Sequence, residues 1–329
     1  MKHRNCAFIS VLMMMGVAAI VLSLSTGLPV KASPANAPEA LQSVPSDYQF
    51  IAGMNVRRFT SSPLYLKLRQ GQPQAAQIEN EISKFTEQTG LDPARDISYL
   101  VIAGRAGAST KPEGLLILSG DFDKDRLTSF LRSKEAVIAM DYKGTSVMMV
   151  PDKNDNSVKT GMAFFSQHEV AMGDLASLKA ALDTKVGEKR NILSNTVVSS
   201  LLGSINLDGM FWFAGDTAAA MQKSSLQVPP ALNASSIQSI AGTFDIGEDF
   251  AGKITATTVD SNAAAKLADV FRGFIALGQM SGDQNPELKQ LLNTVTVSQN
   301  AAQLSLSFNI PGDLIGKLGR SKGMSPGAM

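Results

Sequence analysis

The most constraining feature of this chain is an order of elements that comes round twice. Ile97–Ala103 (ISYLVIA) and Gly114–Leu118 (GLLIL) are short, almost wholly apolar runs, separated by the polar stretch Arg105–Glu113. Runs of that length with polar residues between them read as a pair of buried strands. Asp123 then stands where a helix N-cap belongs, ahead of Lys124–Arg132 with Leu127, Phe130 and Leu131 on one face. In the second half, Ser236–Ile246 and Phe250–Val259 flank Gly247-Glu248-Asp249 as the arms of a hairpin would. Ser261 or Asn262 caps a long helix there, reaching Leu277. Ile97–Arg132 and Ile237–Phe274 therefore agree in element order and length, the mark of a diverged tandem duplication.

The remaining elements fill out each half. Tyr48–Val56 reads as a strand, Leu64–Arg69 and Gln74–Thr89 as helices, and Gly90 as the stop of the second. Ala136–Tyr142, Ser146–Val150, Gly161–Phe165 and Glu169–Met172 read as strands, and Asp174 caps a helix through Leu182. Then come a helix over Ile192–Leu202, a strand over Gly209–Ala214 and a helix over Asp216–Lys223. Leu292–Ser298 and Gln303–Asn309 close the chain as alternating strands. The repeating order predicts an α+β fold of two tandem, diverged ferredoxin-like repeats, βαββαβ plus an extra strand, with mainly antiparallel sheets. Some strands are continuous apolar runs and others alternate, so helices should cover at least one sheet face.

The N-terminus constrains the compartment. Met1-Lys2-His3-Arg4-Asn5 is short and basic, Cys6–Leu24 is an apolar run, and Val30-Lys31-Ala32 precedes Ser33. That is the plan of a bacterial-type secretory signal cleaved after Ala32. The alternative is an uncleaved anchor, since the apolar run is just long enough to span a bilayer. The expected organisation is a signal peptide over 1–32, a flexible linker over 33–45, a first α+β repeat over 46–186, a second over 187–319, and a disordered tail over 320–329. The expected location is the periplasm or the medium, with no membrane span once the signal is removed.

Cleavage would also remove chemistry. Cys6 is the only cysteine, so the mature chain would have no disulfide, no thiol nucleophile and no zinc–thiolate or iron–sulfur site. Loss of Lys2, Arg4 and Lys31 turns the formal charge of +1 into −2. No run of like charge marks a nucleic-acid or anionic-lipid surface.

The residues that could carry catalysis are few. His168, between Gln167 and Glu169, would be the one histidine left, and it falls at a hairpin tip. No strand-to-helix elbow carries Gly-x-Ser-x-Gly, and there is no Ser-x-x-Lys. Asp121, Asp123 and Asp125 alternate as in a calcium loop, but Arg126 and Arg132 stand where glycine and glutamate are required. Asp152, Asn154 and Asn156 fail in the same way, with Ser157 and Ala163. Gly104-Arg105-Ala106-Gly107 lacks the third glycine of a phosphate loop and leads into a strand. Six acids could serve carboxylate chemistry, Asp47, Asp121, Asp174, Asp208, Asp216 and Asp245, with nothing to select a pair. Consecutive Phe211, Trp212 and Phe213 place two rings on one face of a strand and one on the other, as a buried central strand or as an aromatic platform. Met148, Met149, Met162 and Met172 read as core filler.

One resemblance accompanies these readings. Val44-Pro45-Ser46-Asp47, Ser62-Pro63-Leu64-Tyr65 and Gly90-Leu91-Asp92-Pro93 resemble a pattern in uncharacterised exported α+β proteins of soil bacteria. The resemblance covers the first third of the mature chain and implies export, with no activity to carry over.

The sequence points to a non-catalytic binding or interaction module of the envelope or secreted fraction. It assigns no catalytic, cofactor-binding or metal residue and expects an unknown protein or envelope component as partner. The alternatives are a carboxylate-dependent hydrolase of an envelope polymer and a periplasmic assembly or chaperone-like factor. Binding expects an exposed apolar patch, hydrolysis a cleft with two acids, and assembly a long uncovered sheet edge. N-terminal sequencing of the exported protein should return Ser33 as its first residue; a sequence starting at Met1 would leave it anchored.

Overall fold

The computed structural model describes residues 37–63, 65–66, 73–105, 113–134, 137–151, 159–218, 234–280 and 286–315. The helices read at Leu64–Arg69 and Asp216–Lys223, the signal segment and the tail lie wholly or largely outside them.

Among the described residues, twelve strands form one sheet, and each ladder in it is antiparallel. The first half supplies β1 (Phe50–Asn55), β2 (Ile97–Arg105), β3 (Glu113–Gly120), β4 (Ile138–Tyr142), β5 (Thr145–Pro151), β6 (Lys159–Phe164) and β7 (Glu169–Asp174). The second supplies β8 (Phe211–Asp216), β9 (Ile237–Ile246), β10 (Phe250–Thr258), β11 (Val295–Asn300) and β12 (Gln303–Ile310). Across the sheet the order is β4-β5-β6-β7-β3-β2-β1-β8-β9-β10-β12-β11. Outward from the β1·β8 seam, one arm reads β1, β2, β3, β7, β6 and the other β8, β9, β10, β12, β11. The arms have the same order, and β4–β5 is an added hairpin at the end of the first.

This is an α+β fold, but its strand order differs from the ferredoxin-like expectation. A split βαβ unit sets its first and third strands side by side in parallel. Here β1, β2 and β3 run as an antiparallel meander. The reason is local: the loop from β2 to β3 joins sequential neighbours, and the helical segment between β1 and β2 returns the chain to pair antiparallel beside the strand it left.

The helices are α1 (Ala37–Leu41), α2 (Val56–Thr60), α3 (Pro73–Thr89), α4 (Pro93–Asp96), α5 (Lys124–Lys134), α6 (Leu175–Lys185), α7 (Thr196–Gly203), α8 (Ser261–Met280) and α9 (Pro286–Asn293). Side-chain caps start most of them, as Asp92 Oδ1 does by accepting from Ala94 N at 3.0 Å, Asp123 Oδ1 from Arg126 N at 3.0 Å and Asp174 Oδ1 from Ser177 N at 2.9 Å. Gly90 ends α3 with φ +75°, which its missing Cβ permits. Four expectations are revised. Residues 33–45 are not a free linker in their described part, because α1 buries Ala40 and Leu41, and Val44 follows them inward. The helix over Ile192–Leu202 breaks at Asn195, whose side chain caps α7 through Val198 N at 3.1 Å. The cap of α8 is Asp260, which accepts from Ala263 N at 2.7 Å, not Ser261 or Asn262. Helix α9 precedes β11, where a strand alone was expected from Leu292. No described helix is long and apolar enough to cross a membrane.

Ladder register sorts the side chains onto two faces. On the first, α1, α6 and α7 pack Leu41, Leu178, Leu182 and Val198 against Ile51, Val101, Ile117 and Trp212. On the second, α5 packs Leu127 and Leu131 against Leu116, Met148, Met162 and Met172. The first arm is thus covered on both sides, as its continuous apolar strands require. In the second arm the helix α7 covers the first face only at β8 and β9, and on the second face α8 places Leu267 and Ala268 on Leu304 and Val297. The arm's first face carries Thr243, Lys253, Thr255, Ser305, Ser307 and Thr296 by register, all partly or fully exposed.

The seam rests on one aromatic residue. Trp212 is 1% exposed, lies directly across the ladder from Gly53, and donates its indole N–H to the Tyr99 hydroxyl. A Cβ at Gly53 would overlap the indole ring. Gly53→Ala should therefore destabilise the protein by about 1–3 kcal/mol through overpacking. Urea unfolding followed by the fluorescence of the single tryptophan should show the lowered midpoint.

Candidate functional site: an aromatic sheet face

The second face of the second arm is built almost wholly from apolar residues. Phe211 and Phe213 on β8 point there while Trp212 points to the other side, because strand side chains alternate. Phe213 pairs directly with Gly242, and Gly252 is flanked by Phe244 on β9 and Phe308 on β12. A Cβ at Gly242 would come within 2.7 Å of the Phe213 ring, and one at Gly252 would come within 2.6 Å of Phe308. The rings therefore lie down over the glycines of neighbouring strands. Phe50 does the same over Gly215.

Lying flat, the rings meet one another. Phe213 and Phe244 stack at 5.8 Å between centroids, Phe244 and Phe308 at 6.0 Å, and Phe250 tilts onto Phe308 at 4.7 Å. Such pairs add about 0.5–1.5 kcal/mol each beyond simple burial. Phe213, Ile240, Phe244, Ile254, Leu306 and Phe308 are nonetheless only half-buried. Phe50 is 37% exposed.

Helix α8 forms one wall. It starts where β10 ends and leads through α9 to the start of β11, so it runs antiparallel to both strands. Ala264, Leu267 and Ala268 are its sheet-facing row. The right-handed turn of the helix and the chirality of the ladder place Val270, Phe274 and Leu277 on the flank toward β10. Phe274 is 53% exposed, Leu277 62%, and Met280 in the last turn 79%. Floor and wall together make an apolar trough. Its chemistry suits an apolar or aromatic surface, and the described residues named above offer no group able to transfer a proton.

Ionisable groups gather elsewhere. Where β8 begins, Arg58 Nη2 lies 3.1 Å from Asp245 Oδ1, and Arg58 also donates to the Asp208 carbonyl oxygen. Asp245 Oδ1 accepts from Met210 N at 3.0 Å. Burial pushes the Asp245 carboxyl above the usual range, against the Met210 amide and Arg58, which hold it down. The neighbour of this acid is a cation, not the second carboxyl that a hydrolase needs. Glu169 is 5% exposed and accepts from Ser43 Oγ at 3.3 Å and from Lys185 Nζ. Tyr142, Lys143, Asp183 and Lys189 form a network at the far edge of the first arm, where Lys143 holds the Asp183 carboxyl down.

The singled-out residues are scattered. His168 lies in the β6–β7 turn with its side chain 72% exposed, and Nδ1 is 3.1 Å from Asp121 Oδ1 and 3.2 Å from the Gly120 carbonyl. Asp123 and Asp174 cap α5 and α6, and Asp47 pairs with Arg105 at 2.5 Å. Asp152, Asn154 and Asn156 lie outside the described residues. The four methionines are buried. A hollow of about 30 Å³ beneath α5 is lined by apolar side chains including Phe130, Met148, Met162 and Met172. A surface hollow beside Gln88 and Arg126 holds one carboxylate, Asp125. No three metal-ligating side chains cluster among the described residues. The sequence showed the Phe211–Phe213 aromatics but not Phe244, Phe308 or α8's exposed flank, because those join the face only through strand pairing.

Comparisons add little. No family model matches the chain, and no curated protein matches it. Two solved structures of TP0453 are similar. Crystal form I is 11% identical with a TM-score of 0.47, covering 89% of this chain and 99% of that one. Crystal form IV is 9% identical with a TM-score of 0.47, covering 86% and 99%. Likeness at that level carries no argument about function.

The raised Asp245 carboxyl has a pH consequence. The folded state holds this proton more tightly than the unfolded chain, so the group's contribution is greatest below pH 3.8 and is lost as pH rises through the raised pKa. Unfolding free energy measured from pH 3.5 upward should fall more in the native protein than in Asp245→Asn, whose amide oxygen can still accept from Met210.

Proposed function

We propose that this protein is a non-catalytic binding module of the cell envelope or secreted fraction, and that it engages an apolar partner through the aromatic face of its second arm. The observation that carries the reading is the set of flat, half-exposed phenylalanine rings beside the exposed Phe274 and Leu277. Soluble proteins rarely leave contiguous apolar surface open unless something binds there. The reading of residues 1–32 as an export signal sets the compartment, and the resemblance to exported proteins supports the same address.

The architecture is proposed to descend from a tandem duplication. Its support is the shared order of the arms, β1-β2-β3-β7-β6 against β8-β9-β10-β12-β11, with α5 and α8 in equivalent places after the third strand. The ferredoxin-like label is not carried forward, since the meander β1–β3 takes a different path. On this reading the first arm closed over a methionine-rich core, and the second kept one face polar and the other open and aromatic.

The test uses 1-anilinonaphthalene-8-sulfonate as an apolar probe at neutral pH. Its fluorescence should rise on the native protein and fall several-fold with Phe274→Ser/Leu277→Ser, while near-ultraviolet circular dichroism stays unchanged. Equal fluorescence with the native protein and the folded double variant would remove this face as the binding surface.

A further inference from the structure

The two ends of the sheet are treated differently. At one end β4 carries exposed Asp141, and Lys143 in the turn that follows it pairs with Asp183 and Glu188. Charge on and beside an edge discourages another strand from adding to it. At the other end β11 reads VTVSQN, and no charged residue occurs from Gln290 to Gly312. It has no proline and no bulge in its ladder. Among the described residues, nothing pairs with its outer side.

The pairing groups on that outer side can be identified. Asn300 and Gln303 close the two-residue turn Ala301-Ala302, with Ala301 at φ +48°. The closing pair of such a turn is hydrogen-bonded, and antiparallel bonding alternates along the strand. Asn300, Ser298 and Thr296 therefore bond inward to β12, and the backbone amides of Val295, Val297 and Gln299 face outward.

This outward row is complementary to itself. An antiparallel copy centred on Val297 sets Val297 against Val297, Val295 against Gln299 and Thr296 against Ser298, so each pair shares a face. A two-fold axis through Val297 normal to the sheet also leaves both copies of α8 on one side. Val297 packs against the cluster of Leu267, Ala268 and Leu304, beside Phe271, so the helices would cross near the Leu267–Phe271 turn. The α8 flank facing away from β10 carries Ala265, Asp269, Arg272 and Ala276. The spacing of that row is symmetric about its midpoint, with alanine at both ends and opposite charges at the two inner positions. Antiparallel, it places Asp269 opposite Arg272 of the second copy, with alanines that allow an interaxial distance of about 8–10 Å. Asp269 and Arg272, joined at 2.9 Å within one chain, are both well exposed and able to exchange partners.

We propose that two copies of this chain join edge to edge through β11, making one continuous sheet and packing α8 against its copy. The contact is isologous, as a closed dimer requires. A chemically different strand would gain nothing from the self-matching charges on α8, so the second copy is the occupant favoured.

Sedimentation of the full chain should show a dimer at concentrations up to about 100 μM. Gln299→Pro removes one outward N–H, which an edge strand tolerates; it should weaken association by on the order of tenfold or more with unchanged circular dichroism. In a Cys6→Ser background, oxidation of a mixture of Thr296→Cys and Ser298→Cys should cross-link the two, while neither alone does. Asp269→Arg should weaken the dimer, and Asp269→Arg/Arg272→Asp should restore it. A monomer throughout that range, or a dimer that the cysteine mixture fails to cross-link, overturns the proposal. Should Gln299→Pro unfold, the cysteine mixture and the charge exchange decide alone.

Discussion

The indole of Trp212 lying on Gly53 is the contact on which the rest of the molecule depends. It sits in the one ladder, β1 with β8, that joins the two arms. Its N–H is satisfied by Tyr99 one strand further on, so a large polar-tipped ring is buried at modest cost. The same device recurs at Phe50 on Gly215, Phe213 on Gly242, and Phe244 and Phe308 on Gly252. Glycine weakens a strand by itself. Here each glycine lets a neighbouring ring lie down, which returns packing to the position and levels the sheet surface.

Much of this was legible in the sequence. The continuous runs ISYLVIA and GLLIL became strands covered on both sides, and the alternating QLSLSFN became a strand with one covered and one polar face. Caps at Asp123 and Asp174 could be read from residue type alone. Strand order could not, because periodicity reports which way a side chain faces and says nothing of which strand lies beside it. Helix α9 was missed although Asn285-Pro286-Glu287 is a sound helix start; its short amphipathic run looked like loop between longer elements. Helix α1 was missed because five residues have too little period to register, and their burial comes from the first arm's core.

The carboxylates show why no catalytic pair emerged. Asp123, Asp174 and Asp260 satisfy the free amides of helix starts. Glu169 is buried and Asp245 partly so, and each is balanced by a cation, Lys185 or Arg58. A carboxylate drawn from water without such a partner would cost several kcal/mol. These acids hold loops and seams, and none of them lies on the apolar face of the second arm.

The seam also sets the order in which the molecule can be completed. Strands β2, β3 and β7 find partners within the first arm, but the outer side of β1 pairs with β8, some 160 residues later in the chain. As the chain emerges from the ribosome, β1 stays a bare edge with an empty hollow at Gly53 until Trp212 arrives. Contacts so distant in sequence close slowly. The second arm thus acts as the lid on the first, and the seam cannot close until the whole first arm has been made.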